Sequence, residues 1–162
     1  MIAIGPGRVH PNTAKLMDMV VDVGDKVMYG KYDGTELEYD GQTHQLIRDD
    51  DVLLTYAGND VTLETAMPTK DNVLVKLPEK ESNTVSGLVV STTTDEGDIS
   101  KRPDYGEVIR VGSGRQAGNG SKMEVQVQPG DHVRFRKYAG EEVKIERVKY
   151  LVVKCYDILA KI

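Results

Sequence analysis

Few residues of this chain are spaced for chemistry. Gly112-Ser113-Gly114-Arg115-Gln116-Ala117-Gly118 has the glycine density of a loop that cradles phosphate. Such a loop works when a helix follows it inside a βαβ unit, and no helical pattern follows this one. Asp49-Asp50-Asp51 offers carboxylates to a cation. Its spacing is not that of an EF-hand loop, and a solvated turn is the expectation. His10, His44 and His132 share no metal-ligand spacing. Cys155 is the only cysteine, so no internal disulfide can form. It lies in an apolar, strand-like segment and reads as a small core residue. Serine, histidine and aspartate are scattered without a nucleophile elbow. Lys122, near a hairpin signal, is the nearest candidate for a carrier lysine. These residues imply no enzyme and no cofactor.

The elements that would position any site are short strands. Val73-Leu74-Val75-Lys76-Leu77, Glu107-Val108-Ile109-Arg110-Val111, His132-Val133-Arg134-Phe135 and Tyr150-Leu151-Val152-Val153 are apolar runs or alternations bounded by turn residues. That pattern predicts a small all-β barrel or sandwich. No window holds helical periodicity over three turns. Asn119-Gly120 predicts a hairpin turn, since both residues tolerate positive φ. The corresponding place in the first half is His10-Pro11-Asn12-Thr13, with different turn chemistry. The net charge of −5 argues against a nucleic-acid partner. No stretch approaches the length of a membrane span.

The chain repeats itself at an offset of 106 residues, from Gly24 to Gly130. Val23-Gly24-Asp25-Lys26-Val27 returns as Pro129-Gly130-Asp131-His132-Val133, and Lys31-Tyr32-Asp33-Gly34 as Lys137-Tyr138-Ala139-Gly140. Gly5-Pro6-Gly7-Arg8 matches Gly112-Ser113-Gly114-Arg115, and Asp51-Val52-Leu53 matches Asp157-Ile158-Leu159. An internal repeat decides the fold before other readings do. The Gly-Asp pairs are turn chemistry, common to many small barrels. Tyr32 and Tyr138 are expected to pack. The reading is a first unit over 1–61, a linker over 62–68, and a second unit over 69–162.

Residues 79–104 break the strand pattern. A polar stretch, Glu79 to Ser86, leads to Gly87-Leu88-Val89-Val90, and a second polar stretch runs to Asp104. Loops of this length are functional or disordered, and this one has too little apolar surface to hold itself in order. Lys80, Glu81, Asp95 and Glu96 flank the tripeptide and discourage aggregation of an exposed apolar patch. A buried strand turned by Gly87 is the competing reading of Leu88-Val89-Val90.

Taken in order, the second unit resembles the GroES-type small co-chaperonins. Asp71-Asn72-Val73-Leu74-Val75-Lys76 is similar to their opening strand. Gly87-Leu88-Val89-Val90 is similar to the apolar tripeptide of their mobile loop. Tyr105-Gly106-Glu107-Val108-Ile109-Arg110-Val111-Gly112-Ser113-Gly114 resembles the strand after that loop. Pro129-Gly130-Asp131-His132-Val133, Lys137-Tyr138-Ala139-Gly140 and Asp157-Ile158-Leu159-Ala160 complete the series. Asn72 departs from the arginine usual at that place, and the segment from Val90 to Tyr105 is longer and more acidic than the common form. Tandem copies in one chain resemble the double-domain co-chaperonins of plastids. Met1-Ile2-Ala3-Ile4-Gly5 aligns with Val108-Ile109-Arg110-Val111-Gly112, so the first copy reads as truncated, without opening strand or mobile loop.

The resemblance implies two tandem GroES-like barrels, the first incomplete, and no catalysis. It implies docking on a large GroEL-type chaperonin ring, the nucleotide being carried by that partner, through Gly87, Leu88, Val89 and Val90. Family subunits contact one another through their first and last strands, so it also implies a homo-oligomer, with hetero-oligomers including single-domain co-chaperonins as a further form. The plastid stroma is the implied location, the mitochondrial matrix the alternative. The competing class is a binding module, a carrier or adaptor barrel in which the Gly-Asp turns are merely structural. A related barrel occurs in zinc dehydrogenases, but their cysteine ligands and nucleotide domain have no counterpart here.

Overall fold

Residues 1–78 and 102–162 are described by the computed structural model. Gly87, Leu88, Val89 and Val90 lie outside the described residues. The described residues form β-strands and one 3₁₀ turn, Cys155–Asp157. The second unit is a six-stranded antiparallel sheet in the order β11-β12-β6-β7-β10-β13. Its strands are β6 (Asn72–Lys76), β7 (Tyr105–Val111), β10 (His132–Phe135), β11 (Glu141–Ile145), β12 (Val148–Lys154) and β13 (Ile158–Lys161). A small hairpin of β8 (Arg115–Gln116) and β9 (Lys122–Met123) stands apart from it.

Strand alternation places the core. In β10, Val133 and Phe135 point inward while His132 and Arg134 face solvent, as a period of two requires. β6 and β12 differ, being apolar and buried on both faces. Val73, Val75, Leu151 and Val153 point one way, into the barrel interior, and meet Val108, Val133 and Phe135. Leu74, Tyr150 and Val152 point the other way and meet Leu53, Leu54 and Ala66 of the preceding unit. The continuous apolar runs of β6 and β12 are thus the mark of strands covered on both sides.

Four strands of the first unit, β1 to β4, repeat β10 to β13 of the second. β1 (Lys26–Tyr29) and β4 (Val52–Tyr56) pair with a register shift between Met28 and Tyr29. β10 and β13 pair with the same shift, between Arg134 and Phe135. β2 (Thr35–Tyr39) and β3 (Gln42–Leu46) pair Thr35 with Leu46, and β11 pairs Glu141 with Val152 of β12. Both Gly-Asp turns close alike. Asp25 Oδ2 accepts from the Asp22 N–H at 2.8 Å, and Asp131 Oδ2 accepts from the Gln128 N–H at 2.8 Å. Gly24 and Gly130 hold φ of 97° and 92°, which a side chain would strain.

Residues 62–68, read from the sequence as a linker, carry structure. β5 (Met67–Pro68) pairs with β4, so the first unit's sheet has the order β1-β4-β5. Ala66 is fully buried in the core shared by the two units, with Val61 and Leu63 packed on it. A lone segment of about sixty residues buries too little surface to be firmly stable. Here the first unit borrows its core from the second.

Some local expectations differ from the structure. At Asn119-Gly120 only Gly120 has positive φ, 88°, and the hairpin closes over a longer loop with the Ala117 N–H on the Ser121 carbonyl at 2.7 Å. Tyr32 and Tyr138 do not pack: both are exposed, because each sits on a projecting turn. Cys155 is half-buried in the 3₁₀ turn rather than within a strand, although it does lie against the barrel core.

Candidate functional site

The segment that carries the sequence-predicted docking residues lies between β6 and β7. These strands are neighbours, with Lys76 paired to Glu107, so the two ends of the intervening residues stand side by side. β7 can lie this close because residue 106 is glycine. A Cβ there would fall 2.4 Å from the Lys76 carbonyl oxygen and 2.6 Å from Val75 Cγ1. On the outgoing side, Leu77 packs on the barrel core. On the returning side, Arg102 Nη2 donates to the carbonyls of Lys137, at 3.4 Å, and Ala139. Burial lowers the pKa of Arg102, partly offset by Glu142 and Glu141, and the guanidinium stays charged. Two residues on, Asp104 Oδ2 accepts from Arg134 Nε at 3.0 Å and Nη2 at 2.9 Å. The Asp104 carbonyl accepts the Phe135 N–H at 2.9 Å. The returning foot is therefore pinned to β10 and the turn after it, while the outgoing foot is held by packing on the core.

A second polar constellation sits where the units meet. Asn72 is buried, and its Nδ2 donates to the carbonyls of Val52 and Leu53 at 3.1 and 3.0 Å and to Thr69 Oγ1 at 3.0 Å. Lys70 Nζ reaches Asp49 Oδ2 at 2.6 Å and also Asp50. Arg8 adds a contact to Asp50 at 3.0 Å, and Lys154 donates to the Asp50 carbonyl at 3.3 Å. Burial works to raise the Asp50 pKa, yet the Lys70 hydrogen bond and the charges of Lys70, Arg8 and Lys154 outweigh it and leave it lowered. Asp49-Asp50-Asp51 is thus not a solvated turn: its first two carboxylates are the acceptors of a cross-unit ion pair. Asn72, at the position usually held by arginine, is what a buried strand start facing two carbonyls needs.

A groove of about 890 Å³ runs along this junction, lined by Arg8, Asp50, Lys70, Arg115, Lys122 and Lys154 among others. Its charges are of both signs, and Arg8 and Lys70 pair with Asp50. Among the described residues no three histidine, cysteine, aspartate or glutamate side chains gather as a metal site. Gly112–Gly118 forms the turn into the β8–β9 hairpin, with no helix behind it. Sequence reasoning missed the Lys70–Asp49–Asp50 cluster altogether. Its one signal is the acidic run Asp49-Asp50-Asp51, which the sequence shows without its partner Lys70.

The family model of the chaperonin 10 Kd subunit, Cpn10, matches residues 1–56 and 65–162. The 20 kDa chloroplastic chaperonin of Spinacia oleracea is 31% identical over 161 residues, which is 99% of this chain and 60% of that protein. Its counterpart in Arabidopsis thaliana is 30% identical over the same shares. The co-chaperonin GroES of Coprothermobacter proteolyticus is 45% identical over 93 residues, 57% of this chain and 90% of that one. The chain therefore spans about 60% of the length of its 20 kDa relatives. The matched segments part between the end of β4 and the start of β5, where the strand-for-strand repeat also divides, and the chain belongs to the Cpn10 family in both halves.

Proposed function

We propose that this chain is a non-catalytic co-chaperonin that caps a large ATP-dependent chaperonin ring through Gly87, Leu88, Val89 and Val90. The observation that carries the reading is the pinned pair of feet at Leu77 and at Arg102–Asp104, which hold a long intervening segment on a rigid barrel. That is the arrangement an arm needs if it is to be presented from one fixed place. Units of 1–61 and 69–162, joined through 62–68, form the body of the cap. The chloroplastic relatives support a plastid stroma location.

The energetics favour many weak contacts. Burying Leu88, Val89 and Val90 contributes roughly 1.5 to 3 kcal/mol each. Ordering about ten residues costs about 1 to 2 kcal/mol each in backbone entropy, which offsets most or all of that gain. One arm alone binds feebly and reversibly, while several arms on one assembly gain through effective concentration. The test is co-elution with a GroEL-type chaperonin in the presence of ATP. The wild-type chain co-elutes, and Leu88→Asp with Val90→Asp does not, while its circular dichroism is unchanged. Unfolding of that variant favours a buried strand, and wild-type chain that never co-elutes favours an adaptor barrel.

A further inference from the structure

The β8–β9 hairpin stands apart from its own sheet, yet it has a neighbour. Residues 8–18 form a hairpin of the first unit, closed by the bridge between Val9 and Leu16 and by the His10 N–H on the Lys15 carbonyl at 2.8 Å. The two hairpins lean on one another through polar groups. Lys15 Nζ donates to the Asn119 carbonyl at 2.9 Å. The Asp18 N–H donates to Gln116 Oε1 at 3.0 Å, and Gln116 Nε2 donates back to Asp18 Oδ2 at 3.4 Å. The His10 ring completes the seam by lying on Gly118. A Cβ on residue 118 would fall 2.5 Å from His10 Cε1 and 2.7 Å from Nε2. Gly118 is not at positive φ, so what requires glycine there is the ring. Nδ1 of the same ring accepts the Asn12 N–H at 3.3 Å. The seam also bridges the groove between the units, since Met17 and Asp18 of one hairpin and Gln116, Gly120 and Lys122 of the other line it.

We infer that this seam is a pH-sensitive latch across the groove, shut while His10 is neutral and released when it is protonated. Nδ1 accepts the Asn12 N–H only while it carries no proton of its own. Protonation sets a donor against a donor, and the ring has to turn away from Asn12 and off its seat on Gly118. The new charge also falls among cations. On its own hairpin His10 is bonded across to Lys15, whose ammonium is held at Asn119, and Arg8 lies two positions back. The facing turn, Gly118-Asn119-Gly120, has no charged side chain to balance it. Farther down that hairpin stand Arg115, Lys122 and Glu124, and the first hairpin's one acid, Asp18, is taken by Gln116. The seam's hydrogen bonds are exposed, so it opens locally at little cost. The apolar core around Leu54 has no part in it and stays closed. Histidine changes charge between about pH 5 and 8, so the latch is shut above that range and open below it. Nothing in this depends on the capping reading.

The test is amide hydrogen exchange read by mass spectrometry, each rate divided by that of the unfolded chain at the same pH. The reporter is the Asp18 amide, whose partner lies on the other hairpin, and the amides of β6 and β12 are the control. From about pH 8 to about pH 5, wild-type protection at Asp18 is expected to fall roughly two- to tenfold, the worth of one hydrogen bond. The control amides keep theirs. A glutamine at position 10 accepts from the Asn12 amide but takes up no proton, so His10→Gln keeps the protection and loses the pH response. Gly118→Ala displaces the ring and lowers protection at both ends of the range. His10→Ala, which needs no added room, does the same and replaces Gly118→Ala if that variant does not fold. Wild-type protection that ignores pH, a pH response that survives in His10→Gln, or full protection in His10→Ala overturns the inference.

Discussion

Replacing Leu54 with alanine tests whether the two units are energetically one body. Leu54 lies on β4, is fully buried, and belongs to a cluster that also holds Leu74, Val143, Ile145, Tyr150 and Val152. Truncating a buried leucine costs about 2 to 5 kcal/mol, the upper part where the site cannot collapse. Strands from both units wall this site, so collapse is restricted. For a chain of this size roughly 2 to 4 °C of melting temperature goes with each kcal/mol. The expected fall is then about 4 to 20 °C. The more telling readout is cooperativity. Urea unfolding followed by far-ultraviolet circular dichroism is expected to remain one transition, shifted to lower denaturant with its slope retained.

The repeat supplies the control. Leu159 is the counterpart of Leu53 but exposed, so Leu159→Ala changes stability by about 0.5 kcal/mol or less. A loss under about 1 kcal/mol for Leu54→Ala would refute the shared core. So would a two-step curve in which the first unit melts early and the second keeps its wild-type midpoint.

The junction gives two more tests. Asn72→Ala removes the amide's hydrogen bonds to Val52, Leu53 and Thr69 while Thr69 still donates to the Val52 and Leu53 carbonyls, for an expected loss of about 0.5 to 1.5 kcal/mol in urea titration; unchanged stability would show that the clamp contributes nothing. The Asp50 carboxylate, held lower in the folded chain than in the unfolded one by Lys70, Arg8 and Lys154, contributes stability that is present above the usual carboxylate range. That contribution is lost as pH falls through and below that range. The wild-type melting temperature should accordingly fall more steeply there than that of Asp50→Asn, and parallel curves would exclude the linkage. Asp50 is partly exposed, so salt should flatten the difference.

Most of the second unit was legible from the residues themselves. Val133 and Phe135 alternate with His132 and Arg134, and Gly130-Asp131 announces the turn before them. Other turns carry no signal. β11 and β12 join through Glu146-Arg147, both at positive φ of 51° and 68°, where the first unit uses Asp40-Gly41 at 51° and 69°. Asp-Gly is favoured at such a turn; Glu-Arg adopts it only because the flanking strands are held by the core. The residues proposed to dock were legible as an interruption, whereas the partners of Arg102 and Asp104 were not. Arg102 and Asp104 find their partners on β10 and the turn after it, thirty and more positions along the chain, which no local pattern encodes.

Burial was the least legible property, and the repeat shows why. Leu37, Tyr39 and Leu46 have the alternation of Val143, Ile145 and Val152, and the backbone register is the same. The pattern says only that such a face is fit to be covered. What covers it is decided elsewhere, by β4 arriving from the preceding unit. The same logic removes the difficulty of a first unit too small to be stable alone. Its Leu53 and Leu54 are buried by the second unit, whose β6 and β12 need that cover on their outer face. Each unit completes the other, so the boundary near residue 60 divides the repeat without dividing the core.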